Sequence, residues 1–140
     1  MTESGYEHFE VEADVGVRAW GPTRPAAFAH AALGVFALIV SPDEVLPRDV
    51  REVRAQGDTP EALLVNWINE CLYVHEIEGF VVNRVEIAVI EEDRLHAFLH
   101  GEEIDRSRHR PGTVVKAATF HGAAVEKTPN GHEARLVLDV

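Results

Sequence analysis

The sequence predicts an α+β fold, a two-layer sandwich in which a mixed β-sheet carries two α-helices on one face. Three observations predict it. Two segments place apolar residues at helical spacing, and each opens on a threonine closely followed by a proline. Much of the remaining chain reads as short apolar, partly alternating stretches punctuated by Gly, Pro, Asn and Asp. The segments run in the order β-β-α-β-α-β-β-β-β with no repeat, linker or low-complexity run, so residues 1–140 read as one domain.

The elements follow in turn. A first strand runs from about Tyr6 to Val11 and a second from Gly16 to about Trp20, stopped by Gly21-Pro22. Thr23 caps a helix with Pro25 in its first turn. Phe28, Ala32, Val35 and Ile39 form its stripe, Gly34 permits close approach of a neighbour, and Ser41-Pro42-Asp43 ends it. Val50 to Ala55 is a weak strand flanked by charge, which belongs at a sheet edge. Asp58 or Thr59 caps a second helix, with Pro60 in its first turn and Leu64, Trp67, Cys71 and Val74 on its buried stripe. Gly79 terminates it.

Four strands close the chain. Phe80 to Glu91 turns at Glu92-Asp93. Leu95, Ala97 and Leu99 then face inward, while Arg94, His96 and His100 face outward. Glu102 to Pro111 is a polar loop. Val115 to Glu126 and Glu133 to Asp139 form a hairpin across Thr128-Pro129-Asn130-Gly131, where the Asn-Gly pair favours a type I′ turn.

Composition narrows the function classes. Hydrophobic residues make up 46% of 140 residues, enough for a core, and the net charge is −11. Lys116 and Lys127 are the only lysines. Phosphate affinity comes from clustered Lys and Arg, so strong stand-alone nucleic-acid binding is not expected. An acidic chain is better matched to cations or to a basic protein partner. The single cysteine, Cys71, excludes an internal disulfide and a cysteine-based zinc site. No signal peptide is evident, and the longest apolar stretch, around Ala31 to Val40, is too short to span a bilayer. The expectation is a cytoplasmic protein with no membrane partner.

Two aspartates stand out. Asp14 lies between Ala13 and Val15, and Asp139 closes the run Leu136-Val137-Leu138-Asp139-Val140. A lone carboxylate in an apolar strand costs free energy unless something pairs with it. Asp14 reads equally as a turn residue bonding local backbone or as an oxygen ligand for a hard cation. On the last strand, Val137 and Asp139 share one face, opposite Ala134, Leu136 and Leu138. If that strand pairs beside the first hairpin, Asp14, Asp139 and the backbone oxygens of Val140 form a site for Ca²⁺ or Mg²⁺, not zinc.

Other chemistry is thin. His96 and His100 lie four apart in a strand, roughly 13 Å at about 3.3 Å per residue, too far to share an ion. His109, His121 and His132 show no ligand spacing. There is no phosphate loop and no nucleophile elbow, so no catalytic residue is assigned and the chain is not expected to be an enzyme. Lys116 stands in the apolar segment running from Pro111-Gly112 to Thr119 and His121. It reads as a structural ion-pair partner or as a contact with an acidic partner or phosphate.

With these residues in view, the chain resembles the archeases over its whole length. The resemblance rests on Ala13-Asp14-Val15-Gly16-Val17-Arg18-Ala19 with Gly21, and on Ala31-Ala32-Leu33-Gly34-Val35-Phe36. It also rests on Leu63-Leu64 with Trp67, Pro111-Gly112 with Val115-Lys116-Ala117, Thr119 and His121, and the closing Leu138-Asp139-Val140. One departure is that Val11-Glu12 stands where that family reads His-Thr. The resemblance implies an SHS2-related fold and a role as accessory factor of a GTP-dependent RtcB-type RNA ligase in tRNA splicing and RNA repair. It implies faster guanylylation and multiple turnover of that ligase. It further implies a divalent cation, Ca²⁺ foremost with Mg²⁺ or Mn²⁺ as substitutes, held by Asp14, Asp139 and Val140. Lys116, Thr119 and His121 are the candidate partner contacts. The competing expectations are a stand-alone metal-dependent phosphoester hydrolase and a metal-free, chaperone-like interaction module.

Overall fold

A computed structural model describes residues 3–140. The strands are β1 (Gly5–Val11), β2 (Asp14–Gly21), β3 (Asp49–Gln56), β4 (Phe80–Ile90), β5 (Arg94–Glu103), β6 (Ala117–Thr128) and β7 (Gly131–Asp139). The helices are α1 (Arg24–Ile39) and α2 (Pro60–Glu78), and one 3₁₀ turn spans Pro42–Glu44. The element order and the α+β class are those read from the sequence.

Helix ends follow local chemistry. The Thr23 and Thr59 hydroxyls accept from the N–H groups of Ala26 and Ala62, at 3.2 and 3.0 Å. Each satisfies a donor that the first helical turn leaves unpaired. Gly79 ends α2 in the left-handed region, φ 65°.

The sheet differs from the single mixed sheet of the sequence reading. The strands form two antiparallel sheets, β1-β2-β7-β6 and β3-β5-β4. Three hairpins build them, β1–β2, β4–β5 and β6–β7, and short loops suffice for antiparallel neighbours. The outer edge of β6 is closed by α2 instead of another strand. The Asn69 amide donates to the Ala118 carbonyl at 3.2 Å and accepts its N–H at 2.8 Å. Glu61 accepts the Val125 N–H at 3.2 Å. β3 lies at a sheet edge, as its charged flanks predict.

Both helices pack on both sheets. α1 therefore buries a broad face, including Phe28, Ala32, Val35, Phe36 and Ile39. Gly34 is part of that fit, because a Cβ there would lie 2.7 Å from Val17. Trp67 joins the helices, donating from Nε1 to the Phe28 carbonyl at 3.0 Å. Cys71 is fully buried, and burial pushes its thiol pKa well up, which leaves it a packing residue.

The β6–β7 turn also departs from expectation. Thr128 pairs with Gly131, so Pro129 and Asn130 are the central residues. A type I′ turn needs positive φ at both, and the proline ring fixes φ near −65°. Asn130 is not among the residues with positive φ. The Asn-Gly pair is therefore out of register with the turn.

Candidate metal and partner site

The register of β2 against β7 assembles the candidate site. Val15 pairs with Leu138 and Gly16 with Val137. The pairing ends at Val15–Leu138, and Asp14 and Asp139 are the next residue on each strand, which a continued register would bring across from each other. Directly opposed residues share a sheet face with Cβ atoms about 4.5–5.5 Å apart. That face points away from the helices, since Leu136 and Leu138 join the core while Val137 does not. The last strand does lie beside the first hairpin, the condition the sequence reading set.

The surroundings differ from that reading in one respect. Asp139 is exposed and Asp14 half-buried, so neither is a carboxylate sealed in an apolar interior. Their desolvation cost is small, and a cation could reach both. Asp14 opens β2 directly after the two-residue loop Glu12-Ala13, across from Val11. Glu12 holds φ 50°, the one positive φ at a non-glycine residue among those described. Residues other than Gly and Asn rarely adopt that conformation, so local strain adjoins Asp14.

Among the described residues, no three His, Cys, Asp or Glu side chains gather around one point. This corner therefore offers at most two side-chain carboxylates, with backbone oxygens beside them. Such a donor set suits a hard, oxygen-seeking cation such as Ca²⁺ or Mg²⁺ and not zinc. Val140 packs its side chain against the core, which keeps this end of β7 in place.

The expected partner residues separate into two groups. Lys116 lies just before β6, exposed, and its N–H donates to the Asp139 carbonyl at 2.8 Å. Its side chain lines a groove between α2 and the segment following β5. Thr119 pairs with Val137 and so shares the Asp139 face. Its hydroxyl lies 3.3 Å from the carbonyls of both His121 and Val137. His121 is exposed in an irregular stretch of β6, where the pairing slips between Thr119 and Ala124.

Sequence reasoning passed over the most buried polar pair. Glu102 and His109 are 4% and 2% exposed. Strand alternation alone would leave Glu102 on an open face. Instead the Leu46 N–H donates to Glu102 Oε2 at 2.8 Å and Arg108 donates to Oε1 at 2.6 Å. The Asp105 N–H donates to His109 Nδ1 at 2.8 Å, so the proton sits on Nε2, which faces Glu102 Oε2 at 3.1 Å. Burial by itself raises the Glu102 pKa. The Leu46 N–H, Arg108 and His109 outweigh that and hold the carboxyl below its ordinary value. Further along, the Gly112 and Thr113 N–H groups bond the Ile39 and Leu38 carbonyls at the end of α1, both at 2.7 Å. The segment between β5 and β6 is thus tied down at both ends. Only the Pro111-Gly112 pair hinted at this in the sequence.

Each outward histidine has one acid beside it, though His96 Nε2 makes no hydrogen bond to its neighbour. His96 lies 3.2 Å from Glu52, and His100 lies 3.0 Å from Glu86. No helix among the described residues is long and apolar enough to cross a membrane.

The comparisons with known proteins agree with this architecture. Residues 6–140 match the model of the Archease protein family (MTH1598/TM1083). The chain is similar to Protein archease of Pyrococcus abyssi, 37% identical over 96% of this chain and 98% of that one. It is 40% identical to Protein archease of Thermococcus gammatolerans at the same coverage. The solution structure of Methanobacterium thermoautotrophicum protein 1598 matches it with TM-score 0.79 and 30% identity, over 97% of this chain and 99% of that one. The chain belongs to the archease family.

Proposed function

We propose that this chain is an accessory factor of a GTP-dependent RtcB-type RNA ligase. In this reading it promotes guanylylation of the ligase and converts a single turnover into many, in tRNA splicing and RNA repair. Asp14, Asp139 and the backbone oxygens of Val140 hold a divalent cation, Ca²⁺ foremost. When bound, such a cation offsets phosphate charge. The chain contributes carboxylates at an accessible strand end and no nucleophile of its own, so it acts in the cytoplasm on the ligase and not on RNA directly.

The observation that supports the reading is the β2–β7 register, which ends at Val15–Leu138 and so leaves Asp14 and Asp139 as the next residue on each of two neighbouring strands in an archease-family chain. The net charge of −11 supports it, because a ligase handling GTP and RNA is cation-rich and attracts an acidic partner.

The test is RNA joining by the cognate ligase with excess RNA and GTP. Product beyond one equivalent of ligase is expected only when this chain is present. The chain alone joins nothing. Equal product with and without it contradicts the reading, and phosphoester hydrolysis by the chain alone favours the hydrolase alternative.

A further inference from the structure

We infer that the groove between α2 and the segment joining β5 to β6 docks a protein segment that carries a carboxylate flanked by apolar side chains. The segment is supplied by the ligase, so this inference rests on the function proposed above.

The groove encloses about 480 Å³. Ile39, Leu72, Ile104 and Val115 supply apolar walls, and Arg106 and Lys116 supply cationic heads. Neither head takes part in an ion pair among the described residues, and Glu76 is the one acid lining the groove. Four other clefts differ in this respect. Arginines lining four other clefts are paired internally, Arg54 with Glu52, Arg18 with Glu7 and Glu133, Arg48 and Arg108 with Glu102, and Arg94 with Glu91. In a chain of net charge −11, this groove keeps two cations uncommitted. A carboxylate is the complementary group.

The lip is apolar. Val114 lines the groove and is 76% exposed. Tyr73 and Ile77 are 60% and 64% exposed, one turn apart on α2 and next in sequence to the groove-lining Leu72 and Glu76. Large apolar side chains held in water, one of them on the groove itself and two on the adjoining helix, mark a contact surface. Cations within an apolar surround fit a peptide bearing both kinds of side chain better than a free phosphate ion.

The groove is also preformed. The Glu102–His109–Arg108 cluster fixes one end of its outer wall, and the Gly112 and Thr113 bonds to α1 fix the other. A wall that needs no ordering on association loses less entropy when the partner arrives. The Lys116 N–H bond to the Asp139 carbonyl fixes the groove's lysine against the end of β7.

The test measures binding of the full chain to the cognate ligase. Arg106→Glu with Lys116→Glu should weaken binding at least tenfold. Lys127→Glu changes the charge at the other lysine, near the far hairpin, and should leave affinity within twofold. A photo-crosslinker at Val114 should label an acidic stretch of the ligase. Wild-type affinity retained by the double variant overturns the groove while leaving the ligase reading intact. Equal weakening by Lys127→Glu overturns it as well, because net charge alone would then explain the effect. Crosslinks from Val114 to RNA or to a second copy of this chain overturn the choice of partner. No binding by the wild-type chain overturns the ligase reading itself.

Discussion

Asn69 of α2 holds Ala118 of β6 by both backbone groups, accepting its N–H at 2.8 Å and donating to its carbonyl at 3.2 Å. One side-chain amide thus does for this strand edge what a neighbouring strand would do. The contact fixes β6 one residue after its start, close to Lys116 and to the Asp139 end of β7. Asn69→Leu removes both bonds and leaves two backbone groups without a protein partner. It should cost about 2–3 kcal/mol in urea denaturation, and amide exchange should rise at Ala118. An unchanged midpoint would show that α2 holds β6 by packing alone.

The Glu102 cluster predicts a pH dependence. The folded-state pKa of Glu102 is lowered. Its contribution is therefore present above the unfolded carboxyl pKa, about 4.3, and lost as pH falls through the folded value. Glu102→Gln should destabilise the protein by about 2 kcal/mol at pH 7. It should also flatten the loss of stability on acidification below about pH 4. Parallel stability-versus-pH curves for the two proteins would contradict this.

Gly112 lies so close to α1 that a Cβ there would collide with the Leu38 carbonyl oxygen. Gly112→Ala should push the segment off the helix end and cost about 1–3 kcal/mol. The loss should be accompanied by faster amide exchange at Gly112 and Thr113, which bond the Ile39 and Leu38 carbonyls. Stability within error of wild type would show that the wall yields without strain.

The cation reading predicts linked stability. Calcium should raise the melting temperature of the wild-type chain, by about 2–4 °C per kcal/mol of linked binding energy. Asp14→Asn and Asp139→Asn should each abolish that rise. A rise that survives both changes would place the cation elsewhere.

Much of this was legible in the sequence, for definite reasons. Thr23 and Thr59 followed closely by prolines marked both helix starts, because capping chemistry is local. The parity of Ala134, Leu136 and Leu138 against Asp139 gave the facing of β7, because a strand has a two-residue period. The split into two sheets was hidden, since it depends on Asn69 and Glu61 closing the β6 edge from a distant helix. Glu102 and His109 were also missed. Their burial comes from Leu46 and Arg108 folding over an outward face, which no strand periodicity records.

The central claim is that an acidic corner, and not merely a folded partner, drives ligase guanylylation. The direct measurement is ligase–guanylate formation over time, with this chain at substoichiometric concentration. Wild-type and Asp139→Asn proteins should first be matched for melting temperature without added metal. Wild type should raise the rate, and Asp139→Asn should leave it at the level of ligase alone. Equal stimulation by the two proteins would contradict the account.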